Sequence, residues 1–202
     1  MNVQSVVEPH INATAPAHLR RLVLSGFMGA GKSTVGRLLA ARLNWEFLDL
    51  DAYIEERTGL TVPSLFSLHG EPRFRQLESQ ALASALGRSQ LVLALGGGAP
   101  EVLTNRLLLE QTPATATIFL NAPFPALFDR CMLQALNPAV TSPDQANSAQ
   151  PEQIRPLLAD PAIAEARFLA RQPIYRRLAR LTIDTAELTP DETVAALLAR
   201  LT

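Results

Sequence analysis

The sequence predicts an α/β fold, a three-layer sandwich in which a five-stranded parallel sheet lies between two layers of helices. Short apolar segments alternate along the chain with longer segments of helical character, which is typical of a parallel sheet covered on both faces. A glycine-rich loop also joins the first apolar segment to the first helical one. The 202 residues, 48% of them hydrophobic, suffice for a single domain with a substantial core.

Each predicted strand is a short apolar run, of which Leu22-Val23-Leu24 is the first, and helical segments lie between the strands. The last helix is marked by Thr189 as N-cap, Pro190 at the first position and Glu192 completing a capping box. The predicted strands are 21–25, 46–49, 91–95, 115–120 and 180–184. The predicted helices are 31–43, 50–57, 63–69, 72–87, 100–110, 123–135, 160–179 and 190–201.

Two segments do not fit this alternation. Residues 1–18 lack the basic start and apolar core of a secretory signal, so we expect a flexible N-terminal extension before a single domain at 19–202. Residues 137–153 are rich in Pro, Ser, Gln, Asn and Ala and have little apolar content. Such a stretch in a compact domain is typical of a mobile lid, here about 131–158, or of a plain insertion without a role.

The composition excludes several classes of function. A net charge of −1 disfavours a nucleic acid or an anionic membrane as partner, because either would favour a basic excess. No uninterrupted apolar run is long enough to cross a bilayer. Cys131 is the only cysteine, so neither a disulfide framework nor a cysteine-based metal site is expected. We therefore expect the protein in the cytoplasm, where ATP is available.

The most informative motif is Gly26-Phe27-Met28-Gly29-Ala30-Gly31-Lys32-Ser33-Thr34, which matches G-x-x-x-x-G-K-[ST] at every position. Backbone N–H groups of such a loop face a phosphate, the lysine reaches the outer phosphates, and the serine hydroxyl ligates Mg²⁺. Lys32 is the only lysine in the chain, beside seventeen arginines. The alternative, a chance glycine turn before a helix, does not explain the flanking strand and helix. The motif predicts a P-loop that binds a nucleoside triphosphate.

Two acids, Asp49 and Asp51, lie at the end of the second predicted strand. Ligands of open α/β sheets bind beyond the carboxyl ends of the strands, and extended residues two apart share a face. One carboxylate would suit a water-bridged Mg²⁺ and the other a substrate hydroxyl. Alternatively, the pair caps the next helix, with Asp51 as a possible N-cap.

Several weaker features have both a structural and a functional interpretation. Gly96-Gly97-Gly98 at a strand end permits either a close approach of the backbone to a ligand or a tight turn. Arg75 and Glu78 form an i, i+3 pair that could be surface decoration. Arginines near a triphosphate can stabilise charge on the transferred group or be solvated. The candidates are Arg130, Arg155 and Arg171.

Taken together, these motifs resemble the shikimate kinase family from about Arg21 to the C-terminus. The resemblance rests on six pieces in the family's order, of which the phosphate loop alone is widespread and the ordered set is specific. It implies a P-loop NTPase fold of the nucleoside-monophosphate-kinase type with a mobile lid. The pieces are G-F-M-G-A-G-K-S-T at 26–34, L-D-L-D at 48–51, F-R-x-x-E at 74–78, G-G-G at 96–98, R-P-L-L at 155–158 and R-x-P-x-Y at 171–175.

The resemblance implies ATP-dependent phosphorylation of the 3-hydroxyl of shikimate, with Mg²⁺ as cofactor, in aromatic amino-acid (chorismate) biosynthesis. The implied catalytic residues are Lys32, Asp51 and Arg155, the last arriving with the lid. The implied ATP contacts are Gly29, Ala30, Gly31, Lys32, Ser33, Thr34, Arg130 and Arg155. Ser33 would hold the metal directly and Asp49 through water. The implied shikimate contacts are Asp51, Phe66, Phe74, Arg75, Gly97 and Arg171, with Glu78 orienting Arg75.

One departure and two rival functions remain. Family members often carry Ser or Thr just before the three glycines, and Ala94-Leu95 offers no hydroxyl there. The nearest rival is a gluconate kinase or another small-molecule P-loop kinase, against which the ordered motifs argue. A rival of another class is a nucleotide-binding switch protein without kinase activity, but the chain has no N-K-x-D and no D-x-x-G. We expect shikimate and ATP as the partners of a monomer.

Overall fold

The structure is a computed structural model and describes residues 16–136 and 160–201. The strands are β1 (Arg21–Ser25), β2 (Glu46–Asp49), β3 (Leu91–Ala94), β4 (Thr115–Asn121) and β5 (Leu181–Asp184). The helices are α1 (Lys32–Leu43), α2 (Leu50–Thr58), α3 (Val62–Leu86), α4 (Leu103–Gln111), α5 (Phe124–Leu136), α6 (Pro161–Leu178) and α7 (Pro190–Leu201). A 3₁₀ turn covers Ala99–Glu101.

All five strands pair in parallel in the order β2-β3-β1-β4-β5. The predicted five-stranded parallel sheet is therefore confirmed. The central strand β1 has β3 on one side and β4 on the other, with Leu24 opposite Ala94 and Ile118. Parallel pairing brings the carboxyl ends of β1, β2 and β3 to one edge of the sheet, where the phosphate loop, Asp49 and the triple glycine follow them.

Helices cover both faces of the sheet, and the alternation of side chains along the central strand explains why. Leu22 and Leu24 belong to one buried cluster, together with residues of α1, α5, α6 and α7. Val23 belongs to a second cluster with residues of α2, α3 and α4. Successive strand residues point to opposite faces, so a continuously apolar strand packs against a helical layer on each side.

Helix α3 is broken at Gly70, whose backbone angles (φ 75°, ψ 165°) are not helical. Two helices were predicted here, 63–69 and 72–87, and the break confirms the separation. Pro72 follows and fits the first turn of the second segment, where its missing N–H costs nothing. That second segment carries Phe74, Arg75 and Glu78 toward the carboxyl edge of the sheet.

The predicted helix 100–110 is instead two elements. The 3₁₀ turn Ala99–Glu101 ends at Val102, which is extended (φ −76°, ψ 122°), and α4 begins only at Leu103. The Asn105 side chain, fully buried, donates to the Ala99 carbonyl at 2.9 Å and holds the turn against α4. Glu101 is thereby kept beside the triple glycine.

Helix α7 begins as the sequence predicts. The Thr189 N–H donates to Glu192 Oε2 at 2.8 Å, and the Glu192 N–H donates to Thr189 Oγ1 at 3.2 Å, which is a reciprocal capping box. These bonds lower the pKa of Glu192. Across residues 16–136 and 160–201, none of the helices has both the length and the apolar character that a membrane span requires.

Candidate active site

The phosphate loop connects β1 to α1 and depends on glycine conformations. Gly29 (φ 74°) and Gly31 (φ 82°) adopt left-handed angles that favour glycine. The loop also packs closely against α5: a Cβ on Gly29 would clash with the Leu127 carbonyl and lie 2.9 Å from Cys131 Sγ. Ala30, which lies between the two glycines in the sequence, is buried, and its N–H donates to the Phe27 carbonyl at 3.2 Å.

Lys32 is the first residue of α1 and curls back over the loop. Its ammonium donates to the carbonyls of Gly26 at 3.0 Å and Phe27 at 3.1 Å. Burial lowers the pKa of Lys32, and the charges of Asp49 and Asp51 oppose that effect. The cation is thus held at the mouth of the loop beside the two predicted acids. Thr34 follows in the first turn of α1.

Asp49 both caps a helix and contacts the phosphate loop. Its Oδ1 accepts from the N–H groups of Asp51 at 3.1 Å and Ala52 at 3.5 Å, so Asp49 rather than Asp51 is the N-cap of α2. Its Oδ2 accepts from Ser33 Oγ at 2.6 Å. The cap and the ligand-directed interpretation of Asp49 are therefore compatible, because each uses a different carboxylate oxygen.

The paired Ser33 hydroxyl and Asp49 carboxylate fit a Mg²⁺ that is bound chiefly through water and nucleotide phosphates. Mg²⁺ keeps several waters and is usually held by one or two protein oxygens together with substrate phosphates. The described part of the chain contains no group of three His, Cys, Asp or Glu residues that could hold a metal ion. Leu95, which precedes the three glycines, is buried and adds no hydroxyl.

Asp51 is the second residue of α2 and lies within the predicted helix 50–57, so the argument that extended residues two apart share a face does not apply to it. It nevertheless lines the same crevice. A Cβ on Gly96 would lie 2.7 Å from its Oδ1 and 3.1 Å from Glu78 Oε1. Burial raises the pKa of Asp51 from 3.8 to about 7; the charges of Asp49 and Glu78 add to this rise, and Lys32 opposes it. A carboxyl group with such a pKa can accept or release a proton near neutral pH.

Arg75 is held by a buried acid. Its Nη1 donates to Glu78 Oε2 at 2.8 Å, and only 1% of the Glu78 side chain is exposed. Burial raises the pKa of Glu78, whereas the Arg75 charge lowers it. The guanidinium lies against Gly98, where a Cβ would be 2.8 Å from Nη1. The pair is therefore part of the site and not the surface decoration that the sequence left open.

Arg171 reaches the same region from α6. Its Nη2 donates to Glu101 Oε2 at 2.8 Å. Its Nε is buried and has no hydrogen-bond partner within the described residues. One turn further along α6, the buried Tyr175 donates its hydroxyl to the Gly97 carbonyl. The middle glycine is thus fixed by α6, with Arg171 beside it.

Asp51, Arg75, Glu78 and Arg171 line one pocket of about 830 Å³. The rings of Phe66 and Phe74, with centroids 4.5 Å apart, contribute apolar surface to it. The pocket brings together the sequence-predicted Asp51, Phe66, Phe74, Arg75, Glu78, Gly97 and Arg171. Sequence reasoning missed Glu71, Glu101 and Arg167, which have no motif of their own, although Arg167 lies one helical turn before Arg171.

Arg130 of α5 lies away from this pocket and contacts the loop after β5. Its guanidinium donates to Thr185 Oγ1 at 3.3 Å and to the Ala186 carbonyl at 3.1 Å. Arg130 therefore lies beside the loop between β5 and α7. Arg155 and most of the predicted lid lie outside the described residues, as do residues 1–15 of the predicted extension.

The candidate site has two parts, an anion site at the phosphate loop and the pocket around Arg75 and Arg171, and Asp51 lies between them. At one end, the glycine loop, Lys32 and Ser33 form an anion site suited to a triphosphate. At the other, Arg75 and Arg171 lie in a pocket that can take a small carboxylate, because guanidinium groups match carboxylates geometrically. Asp51 lies between them, where a hydroxyl group of a pocket ligand would face the phosphate loop.

Comparison with known proteins identifies the family. The sequence profile described as shikimate kinase matches residues 28–202. The chain belongs to the shikimate kinase family. A shikimate kinase of Geobacter metallireducens is 35% identical over 184 residues, covering 90% of this chain and 92% of that protein. One of Bordetella pertussis is 39% identical over 183 residues, covering 89% and 77%. One of Geobacter sulfurreducens is 51% identical over 98 residues, 48% of this chain and 54% of that protein.

Solved structures of shikimate kinases share the fold. The enzyme of Acinetobacter baumannii in complex with shikimate is 34% identical, with a TM-score of 0.73, covering 91% of this chain and 93% of that one. The enzyme of Bacteroides thetaiotaomicron is 31% identical, with a TM-score of 0.73, covering 90% and 98%. A gluconokinase of Sinorhizobium meliloti is 18% identical with a TM-score of 0.53 and shows a related fold only. The predicted P-loop NTPase fold is confirmed by these shikimate kinases.

Proposed function

We propose that this protein phosphorylates the 3-hydroxyl of shikimate with ATP, giving shikimate 3-phosphate and ADP in aromatic amino-acid biosynthesis. The observation that carries the proposal is a pocket lined by Arg75, Arg171 and Asp51. Gly97, which also lines it, lies next to the phosphate loop, since a Cβ there would be 3.9 Å from the Gly26 carbonyl oxygen. Shikimate offers a carboxylate to the arginines and hydroxyls to Asp51. Family membership supports the same function.

The transfer moves one phosphoryl group and one proton. The 3-hydroxyl oxygen bonds to the γ-phosphorus, the bond from that phosphorus to the β,γ-bridging oxygen breaks, and ADP leaves. Asp51, whose pKa of about 7 suits the task, accepts the hydroxyl proton. Phosphoryl transfer depends on alignment and charge stabilisation more than on covalent help, and Lys32 supplies positive charge at the phosphates.

Mg²⁺, held with ATP near Ser33 and Asp49, would neutralise phosphate charge. The rest of the alignment comes from the pocket. Arg75 and Arg171 bind the shikimate carboxylate, and Glu78 fixes the orientation of Arg75 through the 2.8 Å bond. Gly97 presents its backbone to the ring, and Phe66 and Phe74 exclude water from one side.

Other assignments remain predictions from the sequence. They are a monomer located in the cytoplasm, a single domain at 19–202, adenine near Arg130, and a lid at about 131–158 that carries Arg155 to the phosphates. The lid assignment has chemical support, because an arginine that reaches the phosphates when a lid closes can stabilise the transferred phosphoryl group while the lid excludes water.

The test is Mg-ATP-dependent ADP release with shikimate, gluconate and no acceptor in parallel, with phosphorus NMR to locate the new phosphate. We expect release with shikimate alone and phosphate on the 3-oxygen. Lys32→Ala should lower turnover by several orders of magnitude and leave the circular dichroism spectrum unchanged, since among the described residues the ammonium donates only to carbonyls of its own loop. Release with gluconate would overturn the roles of Arg75 and Arg171. Full turnover by the variant would overturn that of Lys32.

A further inference from the structure

An acidic side chain already binds the arginines that we assign to the substrate carboxylate. Glu101 lies on the 3₁₀ turn that follows the triple glycine and lines the pocket. Its Oε2 is 2.8 Å from Arg171 Nη2 and 3.9 Å from Arg75 Nη2. One carboxylate oxygen of the protein therefore lies between the two guanidinium groups, as a ligand carboxylate would.

The remaining donors of Arg75 are also engaged. Its Nη1 bonds to Glu78 at 2.8 Å, and its Nε and Nη2 bond to Glu71 at 3.2 Å and 3.0 Å. Four carboxyl groups line the pocket (Asp51, Glu71, Glu78 and Glu101) against three guanidinium groups (Arg75, Arg167 and Arg171). An anionic ligand thus enters a pocket in which Arg75 and Arg171 already have anionic partners.

Glu101 differs from Glu78 in how firmly it is held. Glu78 is buried, with 1% of its side chain exposed, so it is a fixed support for Arg75. Glu101 is 41% exposed, whereas Arg171 is only 13% exposed. The Glu101 side chain can therefore turn into water while Arg171 stays in place.

We propose that Glu101 is an internal competitor of the substrate carboxylate, which must leave Arg171 before a carboxylate ligand can bind there. This inference rests on the proposed function, because it takes shikimate as the ligand whose carboxylate meets Arg75 and Arg171. Glu101 is on this basis a residue that sets affinity and selects against anions, and it takes no part in the chemical step.

The expected size of the effect follows from exposure. Ion pairs with a solvent-exposed partner are worth about 0.2–1 kcal/mol, which corresponds to about a 1.5- to fivefold change in affinity. Removing the charge of Glu101 should therefore lower the Kd for shikimate by about 1.5- to fivefold. Among the described residues the Glu101 carboxylate pairs with Arg171 and Arg75 and not with Lys32 or the phosphate loop, so the KM for ATP should stay unchanged.

The test compares Glu101→Gln with the wild-type full chain by calorimetric titration of shikimate and of its methyl ester, which is neutral at the same position. Glutamine keeps the shape of the side chain and removes its charge. We expect the variant to bind shikimate more tightly and the ester with unchanged affinity. Glu110→Gln, an exposed glutamate on α4 outside the pocket lining, is the matched control and should change neither.

An unchanged or weaker affinity of Glu101→Gln for shikimate would overturn the inference, and a weaker one would make Glu101 a support of Arg171. Equal tightening for the acid and the ester would also overturn it, since charge competition acts on the acid alone. Glu101→Ala gives a second reading if glutamine disturbs the fold. The turnover of the wild-type protein separates the two proposals. If it does not phosphorylate shikimate, the proposed function fails. If it does, and Glu101→Gln does not bind shikimate more tightly than the ester relative to wild type, only the role of Glu101 is refuted.

Discussion

Asp51→Asn should make the protein more stable at pH 8 while abolishing its turnover. Asp51 lies beside Glu78 at the triple glycine, and burial together with the charges of Asp49 and Glu78 raises its pKa from 3.8 to about 7. The folded protein therefore binds this proton more tightly than the unfolded chain does. At pH 8 the ionised Asp51 therefore lowers the free energy of unfolding, although the proposed reaction needs its carboxylate. The neutral asparagine would remove this destabilisation.

The sign and the size follow from proton linkage. Between pH 4 and pH 7 the folded state binds more protons than the unfolded state, so this group lowers the free energy of unfolding as the pH rises. A tenfold change in proton affinity equals about 1.4 kcal/mol, so a pKa of about 7 instead of 3.8 gives at most about 4 kcal/mol. Asp51 is not fully removed from water, and we expect Asp51→Asn to gain about 2–4 kcal/mol at pH 8.

The assay is urea unfolding of the ligand-free protein at pH 8 and pH 5, followed by circular dichroism and by the fluorescence of Trp45, the only tryptophan. The gain should shrink at pH 5, where wild-type Asp51 is mostly protonated when folded. Asp129→Asn, an exposed exchange on α5, should change stability little at either pH. A gain that is the same at both pH values, or a loss at pH 8, would refute the reasoning.

Two further predictions concern the arginine that we assign to the substrate carboxylate. Arg75→Ala should raise the KM for shikimate by about 10- to 100-fold, since hydrogen bonds to charged groups contribute about 1.5–3 kcal/mol. The KM for ATP should rise by less than about twofold. Arg73→Ala, at an exposed position, is the control, and equal effects on both substrates would show that Arg75 has a structural role. Gly98→Ala should raise the KM for shikimate at nearly unchanged Tm, because the backbone at Gly98 (φ −90°, ψ −11°) accepts alanine but the new Cβ would displace the Arg75 guanidinium. The control is Gly87→Ala, since Gly87 also has a right-handed conformation. An unaltered KM for shikimate would contradict the prediction.

The fold was predictable because short apolar runs alternate with helical segments, and all five predicted strands are present within one residue at each end. The interior strands β1 and β3 are buried along nearly their whole length, as expected for strands covered on both faces, whereas the edge strands β2 and β5 also carry exposed polar residues. The order β2-β3-β1-β4-β5 was not predicted. Strand order is set by how the strands and helices pack in three dimensions. An apolar run such as Leu22-Val23-Leu24 could pair with any other apolar strand, so its sequence does not specify which strands lie beside it.

The site was predictable where a backbone motif carries the chemistry and not where a lone side chain does. The loop around Lys32 has a required glycine spacing, so its position was recoverable from the chain alone. Glu101 has no such spacing, and it was placed inside a continuous helix. Only the 3₁₀ turn and the extended Val102 bring it to Arg171. The available sequence signal was Pro100, which cannot donate a backbone hydrogen bond.

Asp49 and Asp51 show how two similar acids two residues apart acquire different chemistry. Asp49 accepts two backbone N–H groups with one carboxylate oxygen and the Ser33 hydroxyl with the other. Asp51, two residues further along, lies beside Glu78 and against Gly96, where burial and like charge favour the protonated form. One residue therefore suits charge stabilisation and the other proton transfer, because the start of α2 satisfies the first with its N–H groups and leaves the second to face the pocket.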